Sequence, residues 1–303
     1  MAQLRKKSVL PGFGLSLGYT MTYLSLLVLI PLLVLVYKSA KLPGDVVWNT
    51  LTDDYTVAAF KLTLWTSTLA AIFSGFFGLI IAWTLVRYRF PGRRILDAII
   101  DLPFALPTAV AGLTFSSLFM PNGWIGGLGH NIIWGVNKFL SLFGAHDPIN
   151  PGAMDWLSFP ASNTNWGIVI VLTFVGFPFV VRAVQPVLQE WQTENEQAAA
   201  SLGAGRWTTF WRIIFPEIRP ALLTGFALAF ARAIGEYGSV IFIATNRFGE
   251  SEIVPQRIMV QLDTDEQKAH IIAAALLLLS LFILLAINLL EWWSRRNVER
   301  AQA

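Results

Sequence analysis

Hydrophobic positions in this chain come in long unbroken runs rather than as the spaced faces of soluble helices. Pro11 to Val36 and Leu62 to Val86 contain no charged residue. Leu102 to Met120 is uncharged but interrupted by Pro103 and Pro107. Trp166 to Val181 runs up to Arg182, and the apolar pattern resumes to Leu188. Pro220 to Thr245 is broken only by Arg232 and Glu236, and Ile271 to Leu290 only by Ser280 and Asn288. A helix rising ~1.5 Å per residue needs about 20 apolar residues to cross a bilayer core. The pattern predicts an all-α membrane protein, one domain over residues 1–303. Its six transmembrane helices are expected at about 12–37, 62–86, 102–120, 166–188, 220–245 and 270–292.

Composition agrees. The 303 residues are 55% hydrophobic and 14% charged, against about one quarter charged in soluble domains. So few charges cannot coat a soluble core, and so much hydrophobicity excludes intrinsic disorder. The chain has no cysteine, which removes disulfides, thiolate metal sites and cysteine nucleophiles.

The placement of Lys and Arg sets an expected orientation. With both termini inside, the inner segments hold Arg5, Lys6, Lys7, Arg87, Arg89, Arg93, Arg94, Arg182, Arg206, Arg212, Arg219, Arg295, Arg296 and Arg300. The outer segments hold half as many: Lys38, Lys41, Lys61, Lys138, Arg247, Arg257 and Lys268. The excess predicts an N-in, C-in topology, and the formal net charge of +3 then reflects charges facing anionic lipid rather than nucleic acid. Arg5 to Lys7 resemble the start of a signal peptide. The apolar run after them is too long, and no small-residue cleavage site closes it, so the first span is expected to be retained.

The inner segment 189–219 differs from a plain loop. Trp191 to Leu202 (WQTENEQAAASL) is rich in helix formers. Gly203 is placed as a C-cap, and Arg206 to Phe215 reads as a second, amphipathic piece ending at Pro216. A helix-turn-helix between the fourth and fifth spans is expected, with exposed apolar residues that need a partner. The outer segment 121–165, rich in Gly, Pro and Asn, is open to two readings: a docking surface or a lid-like insertion.

Gln197-Ala198-Ala199, then Gly203, then Ile213, Phe215 and Pro216, resemble the EAA motif of binding-protein-dependent permeases of bacterial ABC importers. The family pattern is E-A-A, three residues, G, nine residues, I-x-L-P. The spacing matches throughout; Gln197 stands for Glu, with Glu196 just before it, and Phe215 stands for Leu. Leu10 to Pro31, Phe177 to Gln185 (FPFVVRAVQ) and Ala227 to Ala244 (ALAFARAIGEYGSVIFIA) are similar to the sulfate/thiosulfate branch of that family, the CysT/CysU type. The last two blocks are shared with molybdate permeases. The resemblance implies a non-enzymatic membrane subunit that moves sulfate or thiosulfate inward by alternating access. It implies a CysW-like sister permease, two CysA-like ATPase subunits that use ATP and Mg, and a periplasmic sulfate-binding protein. It also implies that Glu196, Gln197, Ala198, Ala199, Gly203, Ile213 and Pro216 couple this chain to the ATPase. The absence of a G-x-x-x-x-G-K-[ST] loop fits a chain that binds no ATP or other cofactor itself.

Ionisable groups inside a span are costly and are paired or functional. Arg232 and Glu236 lie four residues apart, on one face of a continuous helix, with Ser239 and Thr224 on the same stripe. They either neutralise each other and lock packing, shape the potential of an anion pathway, or act near an inner gate. Arg182 either pairs with Glu236 from another helix or snorkels to the inner leaflet. Pro103 and Pro107 predict a bent third span that either lines the pathway or merely packs. Asp97 and Asp101, just before it, are expected beside Arg93 and Arg94. Enzyme constellations fail: His130, His146 and His270 do not pair at metal-ligand spacing, and neither H-E-x-x-H nor G-x-S-x-G occurs. The competing classes are a molybdate or tungstate permease of the same family, or an ATP-independent anion carrier or channel. A carrier has no use for the motif at 197–216.

Overall fold

The structure, a computed structural model of the chain, describes residues 12–120, 123–127, 138, 164–191, 193–244 and 251–302. The expected outer segment 121–165, with His130 and His146, lies almost wholly outside them, as do Arg5, Lys6, Lys7 and Arg247. Every regular element among the described residues is a helix. In chain order these are α1 (Phe13–Ala40), α2 (Gly44–Thr52), α3 (Asp54–Arg87), α4 (Arg93–Ile100), α5 (Leu102–Ala105), α6 (Thr108–Phe119), α7 (Asn165–Glu190), α8 (Thr193–Ser201), α9 (Arg206–Ile234), α10 (Val240–Ile243), α11 (Val254–Thr264) and α12 (Glu266–Gln302).

Five of them, α1, α3, α7, α9 and the apolar part of α12 (Glu266–Leu289), are long and apolar enough to cross a membrane. Six were expected, and the third is the exception. Pro103 fits the first turn of α5, where its missing N–H is no loss. Leu106, held extended by the proline after it, breaks the helix, and Pro107 then caps α6. The 12 residues of α6 rise only ~18 Å, short of a bilayer core. The fifth span also ends early: α9 stops at Ile234, with Gly235 as its cap, instead of continuing to 245.

The second expectation to change is at Pro216. It does not end an amphipathic piece, because α9 runs unbroken from Arg206 through it. Proline clashes with the carbonyl four residues back. Here that carbonyl belongs to Arg212, inside a π turn at Phe210–Ile214 that loosens the helix. The same device recurs in α1, where the π turn Ser25–Leu29 precedes Pro31.

The core is the trio α3, α7 and α9. Helix α3 is inside-out relative to a soluble helix. Its buried side chains include Ala59, Thr63, Ser67, Ala70, Ala71, Ser74, Gly78 and Ala82, while Ile72, Phe76, Phe77 and Ile80 are exposed. Lipid is as apolar as leucine, so helices associate in a membrane by close approach of small residues rather than by hydrophobic burial. A Cβ on Gly78 would sit 2.7 Å from Cβ of Val180, and one on Gly225 of α9 would sit 2.7 Å from Cα of the same valine. Leu85, Val180, Val181, Val184, Leu188 and Ile218 fill the trio at one end. At the periphery, α12 holds α1, where Ser39 donates to the carbonyl of His270 at 3.0 Å.

Candidate functional site

The segment after α7 folds as expected up to its turn. Helix α8 ends in a Schellman motif: Ala204 N–H donates to the Ala199 carbonyl and Gly203 N–H to the Ala200 carbonyl, both at 3.0 Å. Gly203 takes φ +82°, the left-handed region that glycine adopts without penalty. Gln197, Ala198 and Ala200 are exposed and Ala199 is buried. Glu196 is turned back into the chain, where it forms an ion pair with Arg87 at the end of α3. Leu202 and Trp207 are 88% and 74% exposed. A bare leucine and tryptophan beside a row of small residues make a surface that another protein can approach closely. Ile213 and Pro216 are half-buried in the first turns of α9.

The intramembrane residues divide into two groups. Arg232, in the last turn of α9, forms an ion pair with Glu236 just past the helix end. Glu236 is buried and also accepts from Ser239, from its N–H at 3.0 Å and its hydroxyl at 3.1 Å. The three residues come together, though not on one continuous helix. The carboxylate instead organises the turn between α9 and α10. That turn lies on α6: a Cβ on Gly112 would come within 2.2 Å of the Ser239 carbonyl oxygen, and one on Gly238 within 2.4 Å of the Thr108 hydroxyl. Two interrupted elements thus face each other. Non-helical backbone at membrane depth is tolerated only where protein buries it or a watery cavity receives it, the usual setting of a transport route. Among the described residues Thr224 bonds its own helix, donating to the Pro220 carbonyl.

Arg182 does not reach Glu236. It forms a fork with Asp101, from Nε to Oδ1 at 2.9 Å and Nη2 to Oδ2 at 2.6 Å. It also donates to Asp97 Oδ1 at 2.9 Å, the Asp97 carbonyl at 3.1 Å and Gln185 Oε1 at 2.8 Å. The two aspartates therefore answer α7 rather than standing beside Arg93 and Arg94. Parallel charge-assisted bonds of this kind are directional and strong, and here they clamp the α4–α5 segment, with buried Pro103, onto α7. Pro107 is exposed.

A further cluster was not foreseen. Arg257 of α11 meets Asp53, the N-cap of α3, at 3.1 Å, and Glu252 at 3.7 Å. Burial pushes the Glu252 carboxyl above its ordinary value; Arg257 opposes the shift and Asp53 adds to it. A cavity of about 320 Å³ adjoins, lined by Asn49, Thr50, Asp53, Arg257, Gln261 and Lys268 among others. Arg257 reads in the sequence only as a topology charge, and the one signal of the cluster is the Asp53 cap before a long apolar run.

Residues 74–299 match the family described as binding-protein-dependent transport system inner membrane component. The chain is 43% identical over 295 residues to the sulfate transport system permease protein CysT of Escherichia coli (strain K12), covering 96% of each. It is 43% identical over 279 residues to the protein of the same name in Synechococcus elongatus, covering 92% of this chain and 91% of that one. Its fold resembles a chain in the crystal structure of a bacterial ABC transporter involved in the import of the acidic polysaccharide alginate. The TM-score is 0.65 at 17% identity, with 93% and 94% of the two chains covered. A second structure of a bacterial alginate ABC transporter, in complex with a pentasaccharide-bound periplasmic protein, matches equally, at TM-score 0.65 and 17% identity over 91% and 92% of the chains. The chain is a multi-pass membrane protein that belongs to the family of binding-protein-dependent transport system inner membrane components.

Proposed function

We propose that this chain is the membrane-spanning subunit of an ABC importer that carries sulfate, and thiosulfate with it, across a bacterial inner membrane. The observation that carries the reading is identity of 43% along 96% of the chain with a sulfate permease. The exposed Gln197–Ala198 surface of α8, closed by Gly203 at φ +82°, supports the attachment to an ATPase.

In this reading α8 faces the cytoplasm and seats in a groove of one of two CysA-like ATPase subunits, which bind ATP and Mg. A CysW-like sister permease completes the pathway, and a periplasmic protein delivers the anion. The chain itself is not an enzyme. ATP-driven closure of the ATPase pair displaces α8 and rocks the α3–α7–α9 trio between outward and inward access. The interrupted elements at Gly112 and Ser239 lie along the route, with Arg232 supplying positive potential. Selectivity for the anion rests largely with the binding protein.

The test is uptake of radiolabelled sulfate at low external concentration, with and without the gene. Deletion is expected to abolish uptake, and thiosulfate but not molybdate is expected to compete. Unchanged sulfate uptake on deletion would overturn the sulfate assignment in favour of molybdate or another oxyanion. In the same assay Gly203→Asp is expected to leave the protein in the membrane but to abolish uptake. Ordinary ATP-driven uptake by the assembled Gly203→Asp protein would refute the coupling role of α8.

A further inference from the structure

Helix α8 is joined to α9 by a short connection rich in glycine. Gly203, Ala204 and Gly205 separate it from α9, and the extended Trp191 separates it from α7. Among the described residues its closest backbone neighbour is the first turn of α9. A partner that pushed α8 could therefore swing it about the glycines without moving any membrane helix.

One side chain bridges that gap. Arg87 is the last residue of α3, and its guanidinium pairs with Glu196 in the middle of α8. The pair is sheltered, with the two side chains 18% and 26% exposed. The same guanidinium lies over the ring of Trp83, one turn back, at 4.9 Å. Trp83 in turn meets Phe210 edge to face at 5.6 Å, where the π turn of α9 begins. Elements α3 and α8 thus meet at one cation, and α9 reaches it through Trp83. A stacked, ion-paired arginine holds its place, because stacking on the ring and the carboxylate fix its plane in two directions.

Resting on the transport reading above, we propose that Arg87 is a positioning residue for coupling: it transmits displacement of α8 to α3. Helix α3 is the helix most intimately packed with α7, and it also touches α9. Motion delivered to its end therefore reaches the whole trio. Without the pair, α8 turns on Gly203 and Gly205 while the trio stays in place, and ATP is hydrolysed without transport.

The test uses the whole transporter in proteoliposomes, with binding protein, ATP and labelled sulfate, measuring uptake and ATP hydrolysis in the same vesicles. Arg87→Met and Glu196→Gln are each expected to lower sulfate moved per ATP hydrolysed by about tenfold, within the range that inter-site coupling free energies set. The charge exchange Arg87→Glu with Glu196→Arg is expected to recover much of the ratio. A change in folding alone would reduce both activities together and leave the ratio fixed. If Arg87→Met does not assemble, the ratio for Glu196→Gln decides on the same terms. A wild-type ratio in the assembled single variants, or no recovery in the exchange, overturns the linkage. Absence of ATP-driven sulfate uptake in the wild type overturns the transport reading instead.

Discussion

Helices α3 and α7 meet through Gly78, Ser74 and Gly176, where even a methyl group would collide with the facing helix. Helix α8 instead meets α3 through an ion pair between long side chains. The first contact is close approach of backbones, and the second joins two elements through side chains alone, with the guanidinium kept in plane by Trp83. Both belong to one chain and serve different ends. In the proposed transport cycle the interior moves as a block, and its register is set by atoms too close to slide. In that proposal the end accepts a partner; it is held by charges and leaves its apolar residues, Leu202 and Trp207, uncovered. Glycine shows the same division. At Gly225 it is needed for space, and at Gly203 for φ, with nothing within 4 Å of an added Cβ.

That division is broken most severely at Gly225. In Gly225→Val the new side chain would have to enter a space already closed by the Val180 backbone, 2.7 Å from the first added atom. Overpacking of this kind destabilises by about 3 kcal/mol, and here no flexible side chain can yield. A large drop in the melting temperature of the detergent-solubilised protein is expected. Gly203→Ala is the control: it meets no atom and strains only φ, for about 1 kcal/mol. Equal losses in the two variants would show that the trio is not packed as tightly as the glycines indicate.

A second test moves to the Arg182 clamp, where charge rather than close approach joins α4–α5 to α7. Arg182→Met keeps the stem and removes every hydrogen bond to Asp97 and Asp101. Those carboxylates are 40% and 47% exposed in the single chain, so they regain other contacts in part. The expected loss is about 2 kcal/mol, concentrated in local opening of residues 93–105. Hydrogen exchange would report it as lost protection there with the trio unchanged. Protection lost equally in α3 would mean that the clamp belongs to the core.

What the sequence discloses follows the same line. The spans α3, α7 and α12 are legible because lipid contact imposes hydrophobicity over a fixed length. The Gly203 turn is legible because only glycine takes its φ cheaply. Hydropathy is blind to interruptions in apolar sequence: Leu106 and Gly235 end helices inside runs that read as spans, because a break in the backbone leaves the apolar side chains around it unchanged. Pro216 misleads in the opposite direction, because a π turn absorbs the clash a proline is expected to cause. Charge pairing is the least legible feature. Arg182 and its aspartates are more than 80 positions apart, and Arg87 and Glu196 are 109 apart. Arg87 alone reads as a topology signal, Arg182 as a partner for Glu236, and Glu196 as part of the motif at 196–216; none points to its actual partner.

The smallest effect is expected at the other rim, in the Asp53–Arg257–Glu252 cluster, and it tests whether charge at the ends is tuned or merely tolerated. Glu252 is buried with neither carboxyl oxygen hydrogen-bonded among the described residues, and Arg257 stands 3.7 Å off. Desolvation dominates, so the folded chain holds this proton above the ordinary value of 4.5. A raised carboxyl gives stability that is complete below that ordinary value and is lost as pH rises through the folded value. Thermal stability is therefore expected to decline over that window, which begins near 4.5 and ends above the raised value. Glu252→Gln keeps the shape, leaves Arg257 its 3.1 Å contact with Asp53, and is expected to flatten the decline without changing sulfate uptake. A steeper decline in the variant would mean that ionised Glu252 is compensated by Arg257 after all. This rim would then be built on the same plan as the Arg182 clamp.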